Sequence, residues 1–234
     1  MNESSPLEKE KYYADYYTDV QRSGLQGWGN SLIDKLVEKY SSYPTNAIVL
    51  EIGASSGEHI RFLKAPNSIS SYVALDIAPK LTDPLLAEKL EQIFPIVFVK
   101  GNAEKIDFEE NFFDLSISMC VLAHVDSIKS VLLELKRVTK PSGRIVIGMP
   151  CDPGLLNRLV KNLVTYRVMK KAGISNPQLS YALEHRNGIS NILAICKDVF
   201  SEDSLSVKYF PFRIRSWNLN LIAVASINLK EEHI

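Results

Sequence analysis

Five short apolar runs recur along the first two-thirds of the chain: AIVLEIG (47–53), SYVALDI (71–77), PIVFVKG (95–101), FFDLSISM (112–119) and GRIVIGM (143–149). They are rich in β-branched residues and bounded by polar or Gly-containing turns, the pattern of strands buried on both faces. Each is separated from the next by a segment long enough for a helix, which predicts an α/β domain built on a mostly parallel sheet covered by helices. Leu32, Ile33, Leu36, Val37 and Tyr40 predict a helix over about 28–41, and Ile128, Val131, Leu132, Leu135 and Val138 predict another that stops near Lys140-Pro141-Ser142-Gly143. Two further runs, SVKYFPFRI (206–214) and LNLIAVASIN (219–228), are joined by the short polar link RSWN, so a hairpin is expected to place an antiparallel edge on the sheet. Residues 153–200 hold helical patterns without an obvious strand and are expected to form an insertion after the fifth strand. Residues 1–43 form a helical arm in this reading, with Tyr12, Tyr13, Tyr16 and Tyr17 at its polar start. At 234 residues the chain is expected to be one domain.

Composition removes several function classes. The 27 Lys+Arg balance the 27 Asp+Glu, so net charge offers nothing to a polyanion and nucleic acid is not an expected partner. Cys120, Cys151 and Cys196 are odd in number, widely spaced and without CxxC spacing, which fits reduced thiols in a cytoplasmic-type compartment and no metal site. The charged start MNESSPLEKEKYYADYY lacks the apolar core of a signal peptide, and no apolar stretch approaches about 18 residues. The expectation is a cytoplasmic protein that neither leaves the cell nor spans a membrane.

In open α/β sheets ligands bind outside the carboxyl ends of the strands, where strand order reverses. The first strand ends in Glu51-Ile52-Gly53-Ala54-Ser55-Ser56-Gly57, a bend whose glycines permit close backbone approach, followed by what looks like a helix start at Glu58. A plain tight turn has the same composition. The second strand ends in Asp76, placed where an acidic side chain grips a ribose hydroxyl pair in nucleoside-binding folds. The third ends in Gly101-Asn102-Ala103-Glu104, whose amide and backbone groups suit the edge of a purine. The fourth ends in Cys120-Val121-Leu122-Ala123-His124, which brings an imidazole to the same rim. A dinucleotide is disfavoured because Glu58 would repel a pyrophosphate, and a Walker loop is excluded by the absence of Gly-Lys-Ser/Thr.

From Val49 to Met149 the chain resembles the class I S-adenosylmethionine-dependent methyltransferases of the methyltransferase domain 11 type. Glu51, Gly53 and Gly57 match the family's acidic-x-Gly-x-Gly-x-Gly motif, with Ser55 in place of the middle glycine. The resemblance implies a Rossmann-like, seven-stranded, mostly parallel sheet with helices on both faces and an antiparallel final strand. It implies S-adenosyl-L-methionine as cofactor: Glu51 orients the methionine amino group through water or the turn, while Gly53, Ala54 and Ser55 line the methionyl and ribose side. Asp76 binds the ribose hydroxyls, Ile77 packs on adenine, Asn102 takes the adenine amino group where the family often has Asp, and Ala103 supplies a backbone donor. Gly57 and Cys120 are counted with the same cofactor site.

Methyl transfer to a hydroxyl gains from a base, and a histidine with near-neutral pKa serves. His124 is the first candidate and His185, in Tyr181-Ala182-Leu183-Glu184-His185, the second; His59 and His233 are expected to be incidental. In similar methyltransferases the insertion covers the pocket and selects the substrate. The expected acceptor is a small molecule, sugar or lipid-linked glycan, methylated at oxygen. Residues 154–172 carry five basic and no acidic residues among leucines, the composition of a basic amphipathic helix, which suggests peripheral membrane contact or simply a solvated lid. A noncatalytic nucleoside-binding module on a degenerate scaffold is the alternative, invited by Ser55 and Asn102.

Overall fold

The computed structural model describes residues 24–55, 57–77, 92–171 and 173–231, so Tyr12, Tyr13, Tyr16, Tyr17 and His233 lie outside the described residues. Helix α1 (Gly24–Tyr40) leads into β1 (Ala47–Ile52), β2 (Ile69–Asp76), β3 (Ile96–Lys100) and β4 (Phe113–Met119), followed by α2 (Ile128–Val138) and β5 (Thr139–Pro150). A helical stretch comes next: α3 (Leu155–Val160), a π turn (Lys161–Thr165), α4 (Tyr166–Lys171) and α5 (Pro177–Glu184). The chain then returns to the sheet through α6 (Ile189–Val199), β6 (Ser204–Phe210) and β7 (Ile222–Asn228).

The strands form one seven-stranded sheet in the order β3-β2-β1-β4-β5-β7-β6. Strands β1 to β5 pair in parallel, as their unbroken apolar character predicts. The final strand is antiparallel, but it does not form the edge: β7 pairs antiparallel with both β5 and β6, leaving β6 outermost. Composition explains the choice. Ile222, Ala223, Val224 and Ala225 are all buried, whereas β6 alternates exposed Ser204, Ser206 and Lys208 with half-buried apolar residues, which suits an edge.

Two cores flank the sheet. On one face Leu50, Ile52, Ile145 and Ile147 pack with Leu132 and Leu135 of α2 and Ile192 and Cys196 of α6. On the other, Val49, Leu115, Ile117 and Val146 pack with Leu36 and Val37 of α1. Helix α2 buries five of its six apolar residues, each contributing about 1.5–3 kcal/mol by burial, and leaves Leu133 exposed. It ends at Val138, and the Lys140-Pro141-Ser142-Gly143 breaker falls inside the irregular start of β5, where the register jumps from Thr139 to Arg144 and Ser142 has φ 61°.

Two sequence expectations need correction. The Gly-rich loop does not open a long helix: a five-residue 3-10 turn, Glu58–Phe62, and a second 3-10 turn, Pro66–Ser68, complete the crossover to β2. Only 16 residues, 53–68, separate the two strands, and Pro66 interrupts the last of them. The expected insertion over 153–200 also ends early, because α6 belongs to the core; the helical stretch outside the two large cores is 155–184, with Met169 and Ile174 in a small cluster of their own.

Candidate active site

Strand order reverses between β1 and β4, so the loops after β1, β2, β3 and β4 meet at one rim. The loop after β1 is anchored by Gly53, whose N–H donates to the Leu75 carbonyl at 2.7 Å. Gly53, Ser55 and Gly57 all take left-handed backbone, with φ of 67°, 45° and 71°. A Cβ on Gly53 would lie 2.1 Å from Val121 Cγ2, so the loop after β4 packs directly on this glycine. Ser55, standing where the family motif has glycine, adopts the glycine-like turn at a cost of about 1–2 kcal/mol. Its N–H donates to Asp76 Oδ2 at 2.9 Å, which holds the turn against the end of β2.

Asp76, Asn102 and Cys120 stand at or just beyond the carboxyl ends of β2, β3 and β4. Asp76 is half-buried at the β2 terminus, and the neighbouring Ile77 is 70% exposed, an apolar side chain beside that carboxylate. Asn102 Oδ1 accepts the Glu104 N–H at 2.9 Å, so its carbonyl oxygen shapes the turn around buried Ala103. Glu104 reaches across to accept the N–H groups of Asp126 and Ser127, both at 2.9 Å, coupling the β3 loop to the start of α2. Cys120 has φ 58°, and burial pushes its thiol up to about 12, so it is a neutral wall rather than a thiolate.

Beneath the loop lies a buried polar layer that sequence reasoning missed. His59, expected to be incidental, is fully buried with Nδ1 3.3 Å from Asp34 Oδ1 and Nε2 3.3 Å from Glu38 Oε2. Burial alone would depress its pKa; the carboxylates of Asp34, Glu38 and Glu51 overcome this and raise it to about 10. Glu38 also accepts the Tyr43 hydroxyl at 2.7 Å and the Lys64 N–H at 2.8 Å, and its carboxyl is held below the ordinary value despite burial. Glu51 lies in this layer, not at the rim: it is 1% exposed, accepts the Tyr72 hydroxyl at 2.8 Å, and burial raises it to about 6. Any influence on a ligand therefore passes through the turn that it supports.

The two sequence-selected histidines, far apart in the chain, meet. Arg186 and Asn187 donate backbone N–H groups to the Ala123 carbonyl at 2.9 and 3.2 Å, and Asn187 Nδ2 donates to the carbonyls of Leu122 and Val125 at 2.9 and 2.8 Å. Arg186 also pairs with Asp126. This docking sets the rings of His124 and His185 4.4 Å apart and stacks His185 on Tyr181 at 3.9 Å with a 4° interplanar angle. Lys161 Nζ lies 4.3 Å from the Tyr181 ring centroid and 2.5 Å from Asp152 Oδ1. Burial, His124 and Lys161 push His185 down to about 3, and burial also lowers His124 against the favourable Glu184 carbonyl. Asp152 has no part in the sequence reading, in which Lys161 is only one of the basic residues of 154–172 and Tyr181 only the start of the segment that holds His185. The spacing of Tyr181 and His185, four apart at the end of one helix, was the available signal.

A tight loop with three left-handed residues, a carboxylate at the next strand end, an exposed Ile77 and an amide turn thus stand at the carboxyl ends of neighbouring strands. Among the described residues no group of His, Cys, Asp or Glu is placed to hold a metal ion. Residues 50–147 match the family described as methyltransferase domain. The ubiquinone/menaquinone biosynthesis C-methyltransferase UbiE of Rhizobium rhizogenes is 30% identical over 138 residues, covering 57% of this chain and 52% of that protein. YafE of Escherichia coli is 31% identical over 91 residues, 38% of this chain and 44% of its own. The chain thus spans about half the length of the curated relatives it matches. The carbon methyltransferase of CurJ superposes with TM-score 0.61 at 16% identity, covering 97% of this chain and 62% of that one. YcgJ of Bacillus subtilis superposes with TM-score 0.55 at 15% identity, covering 87% of this chain and all of that one. The loop and the four strand ends therefore lie within the stretch, residues 50–147, that matches the methyltransferase domain family.

Proposed function

We propose that this chain transfers the methyl group of S-adenosylmethionine to a hydroxyl of a small-molecule or glycan acceptor, with His124 as the base. One observation carries the choice of base: His124 Nδ1 lies 3.0 Å from the Glu184 carbonyl oxygen. A carbonyl can only accept, so in the neutral ring Nδ1 holds the proton and Nε2 keeps its lone pair. Desolvation lowers the His124 pKa, so the ring is neutral and ready to accept at neutral pH. His185, lower still, packs beside it and keeps its orientation.

The bound cofactor supplies an electrophilic methyl carbon on a sulfonium. Asp76 would hold the ribose hydroxyls, Ile77 and Asn102 the adenine, the Ala103 backbone its ring edge, and the 53–57 turn the methionyl part, with Cys120 an uncharged wall. Transfer needs collinear alignment and exclusion of water more than acid–base power. The stretch 155–184 is the substrate cover in this reading, because the residues that end it, Arg186 and Asn187, are tied to the β4 loop. His124 Nε2 would take the proton of the acceptor hydroxyl, whose oxygen would gain the methyl group as the carbon–sulfur bond breaks and the sulfur leaves as the neutral thioether. Three free cysteines fit a reducing, cytoplasmic-type compartment.

Methylation at carbon is the second reading, favoured by the relative named as a C-methyltransferase and by the carbon methyltransferase structure. Incubation with methyl-labelled cofactor and a panel of phenolic, enolic and sugar acceptors, followed by NMR of the product, separates the two. A methoxy carbon is expected; a carbon-bound methyl overturns the oxygen assignment. Cofactor binding with no turnover across the panel favours the noncatalytic module.

A further inference from the structure

We propose that the outer face of residues 155–171, together with the loop 211–215, docks on an anionic lipid bilayer. This goes beyond the reading of the catalytic site and does not depend on it. Leu155, Leu159 and Leu163 stand on successive turns and are 62%, 55% and 49% exposed, although aliphatic side chains on a solvated helix are ordinarily turned to the core. Four of the exposed positions between and beyond them are basic, Arg158, Arg167, Lys170 and Lys171, and exposed Asn162 is uncharged. Met169 is buried and Val160 and Val164 are half-buried, more covered than the leucines, so the leucines are not the helix's packing face.

A second segment repeats the pattern. In Phe212-Arg213-Ile214-Arg215 all four residues are exposed, Phe212 and Ile214 each at 52%. The loop is held in place, because buried Asn220 donates through Nδ2 to the carbonyls of Ile214 and Ser216 at 3.1 and 2.7 Å. It is also adjacent to the helix: a Cβ on Gly154, immediately before α3, would lie 2.7 Å from the Trp217 carbonyl oxygen. Leu219, 47% exposed, stands at that junction.

Charge decides the occupant. The whole chain is neutral, yet residues 154–183 and 204–230 contain no Asp or Glu, so the basic side chains interleaved with these apolar ones face no carboxylate from either segment. Apolar side chains that enter the headgroup–acyl boundary beside Lys and Arg at the headgroups are the composition of an interfacial helix on anionic lipid. A second copy is a poorer occupant, because a two-fold interface would set the basic face against itself. Such docking would bring the cover of the active site to a membrane surface and suit an acceptor drawn from it.

Co-sedimentation of the full chain with vesicles of phosphatidylcholine plus phosphatidylglycerol, and with phosphatidylcholine alone, tests this. Binding to the mixed vesicles is expected, falling as salt rises, with little binding to phosphatidylcholine. The double variant Leu159→Glu/Leu163→Glu should lose at least tenfold in partition, and Arg213→Gln or Lys170→Gln about fivefold each. Circular dichroism and affinity for S-adenosylmethionine should be unchanged, which separates this docking from the catalytic reading. The proposal is overturned by a wild-type chain that stays in the supernatant at low salt, by equal binding to both vesicles, or by Glu variants that bind as well as wild type. A dimer that the double variant dissociates, without lipid binding, would assign the face to a second copy instead.

Discussion

The carboxylate of Asp76 accepts the backbone N–H of Ser55 at 2.9 Å, tying the end of β2 to the tip of the loop after β1. Asp76 therefore shapes that loop as well as placing charge beside it. Asp76→Ala should weaken S-adenosylmethionine binding by about 1–3 kcal/mol, through the lost charged hydrogen bonds and a loosened loop. Titration calorimetry checks this, and unchanged affinity would place the cofactor elsewhere.

Ser55 occupies left-handed backbone at φ 45°. Ser55→Gly removes that strain but adds unfolded-state entropy, so the expected gain is at most about 1 kcal/mol, a rise in Tm of about 2–4 °C. Cofactor affinity should be retained, since the N–H that reaches Asp76 is kept. A lower Tm would mean the hydroxyl makes a needed bond.

Gly53→Ala drives a methyl group toward Val121, 2.1 Å away, in a backbone region that alanine disfavours. Loss of cofactor binding and a clear fall in Tm are expected. Adding Val121→Ala should restore part of both by removing the clash, leaving a backbone cost of about 1–2 kcal/mol. No recovery would show that conformation alone excludes the side chain.

His59 gives stability a pH dependence of known sign. Its pKa rises from 6.5 to about 10 on folding, so its contribution is complete below about 6.5 and is lost as pH rises through 10. Glu51 acts in another window: raised from 4.5 to about 6, its contribution is present below about 4.5 and lost as pH rises through 6. Thermal melts should therefore show Tm falling between neutral pH and about pH 10. His59→Gln should remove that slope and cost about 3–5 kcal/mol, because it leaves buried carboxylates without their cation.

His124→Ala should lower kcat by about 10²–10⁴ if the ring takes the acceptor proton. Asn187→Ala removes two side-chain hydrogen bonds that hold the rings together, and should raise KM for the acceptor more than it changes cofactor affinity. A change of only a few-fold in His124→Ala leaves alignment as the main source of rate.

The layout of the sheet, and the set of loops that meets at its carboxyl end, was legible because its signals are local. Apolar runs such as AIVLEI and SYVALD announce strands buried on both faces, and strand order then carries Gly53, Asp76, Asn102 and His124 to one edge whatever the side chains elsewhere do. Residues 204–210 and 222–228 announced two strands, but which lay outermost was written more faintly, in the exposed Ser and Lys of the first. His59 was misjudged for the opposite reason: nothing near it in sequence reveals Asp34 and Glu38, which arrive on another helix.

By itself, then, the amino-acid order determined the α/β sheet, the left-handed loop that only Gly or a strained Ser can make, and the chemical types at four strand ends. Tertiary structure alone decided that the rings of His124 and His185 stand side by side, that Glu51 faces inward to Tyr72, and that His59 is buried between Asp34 and Glu38. Backbone geometry follows from neighbours within a few residues. A pKa or a ring stack depends on what packing brings near, and for His124 and Glu184 that partner is 60 residues away.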